Sequence, residues 1–269
     1  MKPNVRSIGE GVIFPSSNDK KFPFEAVNLN AVDVVLTKIY ENNLIQFFQN
    51  NNLNGSRELK RVGKKIISKR LNLQKTGAKL SKWNKFYVDL SDVIKEDDGA
   101  IYQINIRFKK EYANYICDKK GEQLTELEIE NTEKEWSESD WGTYDYDYYD
   151  DYGYDYDYDY SDRQNPCKDY YYRNKSIARN ILISDIGIIA KAGSDKNMHV
   201  VLSDLNTTEP ISGATVKFYD YQQQFLGETT TDGEGMAISH LDRKPFLLVA
   251  EKGDQKGYLK LKDGESLSL

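Results

Sequence analysis

The fold of the chain is decided by the stretch "NMHVVLSDLNTTEPISGATVKFYDYQQQFLGETTTDGEGMAIS", residues Asn197–Ser239. Runs rich in β-branched and aromatic residues, such as "MHVVLSDL" and "GATVKFYD", alternate here with the turn signals "TTEPISG" and "TDGEG". Reading outward adds "NILISDIGIIAKAG" before this stretch, and "PFLLVAEKG" and "KGYLKLKDG" after it. Seven such runs in roughly 90 residues predict one antiparallel β-sandwich of the immunoglobulin-like (Ig-like) type.

Strand signals also fill the region from residue 22 to residue 117. "AVDVVLTKIY", Ala31–Tyr40, alternates apolar and polar residues, and "GAIYQINIRFKKEY", Gly99–Tyr112, is the clearest strand, with one apolar face. "NLIQFFQ", Asn43–Gln49, fits either a buried strand or one short helix, and the pattern does not separate the two. The region therefore predicts a second β domain.

Length supports the same division. The 269 residues exceed the usual size of a single domain. We expect an all-β chain with two Ig-like antiparallel β-sandwich domains joined by an acidic connector. The expected segments are an N-terminal extension at residues 1–21, a first sandwich at 22–117, the connector at 118–175, and a second sandwich at 176–269.

The connector contains "YDYDYYDDYGYDYDYDY", Tyr144–Tyr160, with nine Tyr, seven Asp and one Gly. Two interpretations are open: an acidic, aromatic surface that binds a metal, a cationic partner or a sugar, or a loop of loosely constrained composition. Residues 122–161 carry fifteen acidic residues against Lys134 alone, a charge of -14, so the formal net charge of -6 leaves +8 for the remainder. An electrostatic role for the connector is therefore expected.

Calcium binding by this run is a weak hypothesis. Alternation places carboxylates on one edge of a strand about 7 Å apart, too far to share one ion easily. The weak metal candidates are Asp145, Asp147, Asp150 and Asp151. A packing role is preferred, in which aromatic rings lie on the two sandwiches; the candidates are Trp141, Tyr144, Tyr146, Tyr154, Tyr156 and Tyr158.

The two cysteines flank the acidic run. Cys117 and Cys167 suit a disulfide that closes a loop of about 50 residues, with two free thiols as the alternative. No Cys-x-x-Cys or Cys/His set predicts a metal site.

The chain lacks the motifs of catalysis. His199 reads as a strand residue and His240 as a turn residue, and the sequence has no G-x-S-x-G, Walker or dinucleotide-binding pattern. We expect no enzyme activity and no cofactor. The basic run Lys60–Arg70 reads as a solvated strand face and not as a phosphate-binding patch, so no nucleic-acid partner is expected. No apolar run approaches the roughly 18 residues that cross a bilayer, and no signal peptide is evident.

A resemblance to a known family rests on the order of motifs. "NILISDIGIIAK", the P-x-S-G-A-x-V turn at Pro210–Val216, "TDGEG" and "LVAEKGD" followed by "YLKL" occur together, and their combination resembles a macroglobulin-like domain of bacterial α2-macroglobulins. The preceding "FPFEAVNLNAVDVVLTKIYENNLIQFFQNNNLNG", "RVGKKIISKRLNL" and "RQNPCKDYYY" resemble the adjacent domain in Bacteroidetes-type members. The likeness covers nearly the whole chain except the Tyr/Asp run.

This resemblance implies a scaffold part of a large, many-domain protease inhibitor of the periplasm or cell envelope. Its partners would be other domains of the same polypeptide and the target proteases. The family's Cys-x-E-Q thioester pattern is absent, because Asp118 follows Cys117 and Lys168 follows Cys167, and no bait segment is identifiable. The exported, oxidising context implied by the family favours the Cys117–Cys167 disulfide. The alternative function is a surface adhesin or glycan-binding module whose Tyr rings stack on sugars.

Overall fold

The structure is a computed structural model that describes residues 1–17, 19–94, 99–117, 133–135, 160–173 and 175–261. Within these ranges the chain is built mainly from β-strands, as predicted. The strands are β1 Asn4–Ser7, β2 Ile13–Phe14, β3 Lys21–Val27, β4 Ala31–Ile39, β5 Gly63–Asn72, β6 Asn84–Asp89, β7 Ile101–Arg107, β8 Glu133–Glu135, β9 Ser176–Ile183, β10 Ile186–Ala192, β11 Asn197–Asp204, β12 Thr215–Tyr219, β13 Phe225–Thr230, β14 Met236–His240, β15 Leu247–Lys252 and β16 Gln255–Lys260. Two short α-helices interrupt them, α1 Leu44–Asn50 and α2 Leu59–Val62.

Strands β1 to β9 form what we call the N-terminal body. A three-stranded sheet in the order β1-β3-β6 faces a six-stranded sheet in the order β2-β9-β7-β4-β5-β8. Phe24 and Phe86 from the first sheet, with ring centroids 5.7 Å apart, pack into one core with Leu36 and Ile104 from the second. Every pair is antiparallel except β2 with β9. Alternation along these strands turns one face of each sheet toward the shared core.

The strand pairing bears on two of the expected domain boundaries, which stay a prediction. The expected N-terminal extension supplies β1, which pairs with β3, and β2, which pairs with β9. Strand β9, expected at the start of the second sandwich, pairs with β7 of the six-stranded sheet from Ser176 to Leu182. We therefore propose that the N-terminal body runs from residue 1 to Ile183 and that the second domain begins after it.

Strands β10 to β16 form the C-terminal sandwich. A three-stranded sheet, β10-β11-β14, packs on a four-stranded sheet, β13-β12-β15-β16. Leu202, Val216, Phe218 and Leu248 are fully buried between them. The predicted "TDGEG" turn depends on Gly235, whose φ is +70° and whose added Cβ would lie 2.4 Å from the Leu202 carbonyl oxygen. Local turn chemistry and strand alternation therefore agree with the sandwich that the sequence predicts.

Helix α1 settles the open question about "NLIQFFQ". Leu44, Phe47 and Phe48 are spaced by three and four residues, so all three lie on one face of a helix and are buried. A helix of seven residues is too short to be stable by itself in water. Its existence therefore depends on what that apolar face packs against.

The structure joins Cys117 to Cys167 in a disulfide, as the sequence predicts. Just after Cys167, Tyr171 and Tyr172 are buried in the N-terminal body: the Tyr172 ring lies edge-on to Phe108, with centroids 5.8 Å apart, and the Tyr171 hydroxyl donates to the Pro3 carbonyl at 2.8 Å. The disulfide thus closes the base of the acidic segment on an anchored surface. The metal candidates Asp145, Asp147, Asp150 and Asp151, and the packing candidates Trp141, Tyr144, Tyr146, Tyr154, Tyr156 and Tyr158, lie outside the described residues.

Removing the disulfide should destabilise the N-terminal body. The double substitution Cys117→Ser with Cys167→Ser opens a loop with a sequence separation of 50, for which chain-entropy models give about 4 kcal/mol of unfolding free energy. Urea unfolding without reductant measures the loss. The reduced wild type should match the double variant, and equal midpoints for the oxidised wild type and the double variant would contradict the prediction.

Candidate functional site: the junction between the two bodies

The described residues offer no catalytic constellation. No group of three His, Cys, Asp or Glu side chains is placed to hold a metal ion in that part of the chain. His199 lies on strand β11, as predicted, and its side chain is exposed. His240, expected in a turn, is instead the last residue of β14, where its Nδ1 lies 3.1 Å from the side-chain oxygen of Asn197. No described helix has the length and apolar character to cross a membrane.

The candidate site is the junction between the N-terminal body and the C-terminal sandwich, where apolar, hydrogen-bonded and charged contacts join the two bodies. Only two residues, Ser184 and Asp185, separate β9 from β10. Side chains of both bodies share one buried apolar cluster, separate from the two domain cores. Its members are Ile39, Leu44, Phe47, Phe48, Val62, Ile101 and Leu182 from the N-terminal body and Leu247, Val249 and Tyr258 from the C-terminal sandwich. We call this set the junction cluster.

Strand β15 is buried on both faces because it serves two cores. Leu248 and Ala250 point into the sandwich, whereas Leu247 and Val249 point into the junction cluster. The apolar run "FLLVA" in the sequence is the signal of this double burial, since a strand with one solvated face would alternate.

Helix α1 of the N-terminal body contacts strand β16 of the C-terminal sandwich. Phe47 and Phe48 are each 1% exposed, and the Phe48 ring lies 6.1 Å from that of Tyr258 on β16. The Lys260 ammonium donates to the carbonyls of Phe48 at 2.6 Å and Asn51 at 2.9 Å. These carbonyls belong to the last turn and the C-cap of α1, where backbone acceptors lack partners and the helix dipole favours a cation. A side chain of one body thus caps a helix of the other.

A buried polar set fixes the loop that follows α1. The Asn180 side chain on β9 accepts from Gln103 at 2.9 Å and donates to the carbonyls of Leu53 and Gly55, each at 2.8 Å. The Asn180 backbone N–H donates to the Asn54 side chain at 3.0 Å. The bond from Gln103 holds the Asn180 side chain within the sheet, and the other three bonds cross from the sheet to the loop, so they hold the end of α1 in place on the outer face of the six-stranded sheet.

Charged and hydroxyl groups close the rim of the junction. Lys256 forms an ion pair with Glu41 of the N-terminal body and lies 3.5 Å from Glu251. The Tyr258 hydroxyl donates to the Gly99 carbonyl at 2.7 Å. Gly99 has φ +58°, and an added Cβ would lie 3.0 Å from that hydroxyl, so a side chain here would disturb the contact.

Asp185, in the two-residue connection, is the polar centre of the opposite rim. Its carboxylate accepts from the Ser16 N–H at 2.7 Å, the Ser16 hydroxyl at 2.6 Å, Asn206 at 2.8 Å and Gln255 at 2.8 Å. Its own N–H donates to the Gln255 side chain at 2.8 Å. Ser16 lies in the N-terminal body, and Asn206 and Gln255 lie in the sandwich. One buried carboxylate therefore ties both bodies to their connection.

The environment of Asp185 sets how the junction responds to acid. Burial alone would raise the pKa of its carboxyl, but the hydrogen bonds from Ser16, Gln255 and Asn206 outweigh burial and hold the pKa below its ordinary value of 3.8. Because this pKa is lower in the folded than in the unfolded chain, the stabilisation is present above about pH 4. It is lost as the pH falls through the folded-state pKa.

An open groove of about 1030 Å³ lies beside Asp185. Lys20 of the N-terminal body and Asp204, Glu209, Lys252 and Asp254 of the sandwich contribute to its lining. The charges are mixed in sign, and Lys252 is already engaged with the Ser212 carbonyl at 2.7 Å. We interpret the groove as the place where the junction opens to solvent.

The arrangement joins the two bodies through one buried interface with polar contacts on two rims. Sequence reasoning assigned the packing between domains to the Tyr/Asp run, and it missed α1, Lys260 and Asp185. The signals that could have found them were "FLLVA", and "LIQFFQ" interpreted as a helix with one apolar face.

Replacing Lys260 should weaken the joint. In Lys260→Met the carbonyls of Phe48 and Asn51 lose a partly buried charged donor, for which we expect a loss of about 1–3 kcal/mol in the free energy of unfolding. Urea unfolding measures the loss, and amide exchange in α1 should accelerate. Lys252→Met is the matched control, because Lys252 binds the exposed carbonyls of Ser212 and Gly213 within one sandwich. Equal effects of the two substitutions would contradict the assignment.

Asp185→Asn should destabilise the protein at neutral pH, by about 1–3 kcal/mol, because the hydrogen bonds to Asp185 lose their charged acceptor. The difference from the wild type should shrink as the pH falls below 4, where the wild-type carboxylate gains a proton. Thermal unfolding between pH 7 and pH 3 measures both effects. Asp254→Asn, at an exposed residue in the β15–β16 turn, is the control. A difference that stays constant over this pH range would overturn the prediction.

The sequence and the fold were each compared with known proteins, and both comparisons match bacterial alpha-2-macroglobulins. Residues 183–269 match the family model described as the bacterial alpha-2-macroglobulin MG3 domain. No curated protein matches the chain.

Among the solved structures that match nearly the whole chain are three of one protein from Escherichia coli. Native alpha-2-macroglobulin from Escherichia coli spanning domains NIE-MG1 superposes with TM-score 0.55 and 18% identity over 97% of this chain and 97% of that one. The same protein spanning domains MG0-NIE-MG1 gives 0.53 and 19%, with 97% of this chain and 65% of that chain covered. A cryo-EM reconstruction of the native E. coli protein gives 0.51 and 18%, over 97% of this chain and 13% of that chain.

The chain spans 65% of the MG0-NIE-MG1 structure and 13% of the whole E. coli protein, and the likeness at these identities concerns the fold. The predicted resemblance to bacterial alpha-2-macroglobulins is confirmed: residues 183–269 match the MG3 domain model, and nearly the whole chain has the fold of the matching E. coli region.

Proposed function

We propose that the chain is a non-catalytic scaffold unit of an alpha-2-macroglobulin-like protease inhibitor, exported to the periplasm or cell envelope. Its contribution is mechanical: it holds two β-bodies at one fixed angle inside a longer polypeptide that traps endopeptidases. The observation that carries this proposal is the junction cluster, in which α1 of one body is buried with side chains of β15 and β16 of the other and capped by Lys260.

The chemistry of the described residues supports a structural role. The buried polar groups of the junction, Asn180, Gln103 and Asp185, are hydrogen-bonded to neighbouring strands and loops. Groups that serve catalysis commonly keep an unmet bonding capacity or a pKa moved toward neutrality, whereas the pKa of Asp185 is moved away from it. The disulfide is consistent with an oxidising compartment.

The alternative of a glycan-binding module rested on the Tyr/Asp run, of which residues 144–159 lie outside the described residues, and it stays a prediction without a structural observation in its favour. Under the leading proposal, the partners of the chain are the other domains of the same polypeptide and the target proteases.

The proposal is tested with the complete natural polypeptide and a panel of endopeptidases. We expect cleavage by the protease to be followed by compaction in small-angle scattering and by loss of activity toward protein substrates, while small peptide substrates are still cleaved. Heat-inactivated protease is the control. Cleavage without compaction, together with undiminished digestion of protein substrates, would refute the proposed function.

A further inference from the structure

A group of aromatic rings continues the junction cluster onto exposed surface. Tyr219 on β12 is paired with Phe225 on β13, with ring centroids 5.8 Å apart, and Tyr221 lies 5.1 Å from Phe246. Tyr219 and Phe246 pack against the junction cluster, whereas Tyr221 is 50% and Phe225 52% exposed. We call these four residues the aromatic face.

The aromatic face begins where α1 ends. The side chain of Gln49, in the last turn of α1, donates to the Tyr221 carbonyl at 2.6 Å. The same side of the four-stranded sheet that α1 covers therefore extends past the helix as apolar surface. Half-exposed aromatic side chains that adjoin a buried interface are a common mark of a further contact surface.

The turn that carries these rings is held in one conformation. Asp220 donates its N–H to the Gln224 carbonyl at 3.0 Å and accepts the Gln224 N–H on its carboxylate at 2.8 Å, and Arg243 binds the same carboxylate at 2.8 Å. Gln223 adopts φ +68°, a left-handed conformation that is costly for a non-glycine residue. Rings on a fixed turn lose little conformational freedom on binding, so the face is organised before a partner arrives.

The surroundings select the chemistry of the partner. Gln222 and Gln223 on the rim are exposed and uncharged, and the Asp220 carboxylate is already paired with Arg243. Lys260, whose ammonium lies 5.3 Å from the Phe246 ring, is engaged with the carbonyls at the end of α1. A charged partner surface would lose hydration here and would have to compete with these existing pairs for an opposite charge. The face fits an aliphatic, uncharged surface.

We propose that the aromatic face is a second interdomain contact, covered by an aliphatic surface of another domain of the same polypeptide. This inference rests on the proposed function, because it requires domains beyond residues 1–269. The native E. coli protein shows how large such a polypeptide can be, because this chain covers only 13% of it.

The test uses the complete natural polypeptide with a photo-crosslinking benzoyl-phenylalanine at position 225. We expect an intramolecular crosslink, identified by mass spectrometry, to a peptide outside residues 1–269 that is rich in Val, Leu or Ile. The matched control carries the same group at Tyr87, which is also 50% exposed but lies on β6, away from the junction. This control should give no such product. The same group at position 221 repeats the test should the first variant fold poorly.

Each contrary outcome is distinct. Crosslinks confined to residues 1–269, or yields equal to those at position 87, overturn the contact. A product of twice the monomer mass on a denaturing gel would assign the face to a second copy of the chain and refute the proposal as stated, as would crosslinks to carbohydrate only. Protease trapping is scored separately, so an intramolecular crosslink with no trapping would overturn the proposed function alone. A natural polypeptide of no more than 269 residues would overturn both.

Discussion

The structure depends on the burial of one short helix between two β-bodies. Helix α1 has seven residues and is too short to be stable by itself in water. It nevertheless supplies Leu44, Phe47 and Phe48 to the junction cluster. Burying one such side chain is worth about 1.5–3 kcal/mol. The helix is therefore formed by the same contact that joins the bodies. Lys260 strengthens this coupling, because the cation that satisfies the end of α1 belongs to the other body.

How much the sequence predicts follows from how local each signal is. The C-terminal sandwich is predictable, since its strands alternate and its turns contain residues with specific backbone needs, such as Gly235. "NILISDIGIIAKAG" reads as one run, yet the chain passes from one body to the other at Ser184 and Asp185 within it. Pairing of β9 with β7 decides this division, and pairing partners far apart in sequence leave no local trace.

The candidate site shows the same limit more sharply. The Tyr/Asp run attracts attention because its composition is rare, but rarity is a property of sequence and not of position in the fold. The junction is built from common residue types. Asn180 donates hydrogen bonds to loop carbonyls, and Asp185 accepts them from one serine and two side-chain amides. Their importance comes from which groups face them, and no spacing rule encodes that. "FLLVA" in β15 is an exception, because burial on both faces removes the alternation that a half-solvated strand keeps.

The junction also constrains how such a unit could take part in a conformational change. Hinges need a connection that absorbs backbone rotation while few contacts break. Here the connection has two residues, and Asp185 within it accepts four hydrogen bonds from both bodies. Rotation would also expose the junction cluster and strip α1 of its cap. The cost of these losses would be incurred together, because the groups share one interface. In any larger conformational change, this pair of bodies would therefore move as one piece.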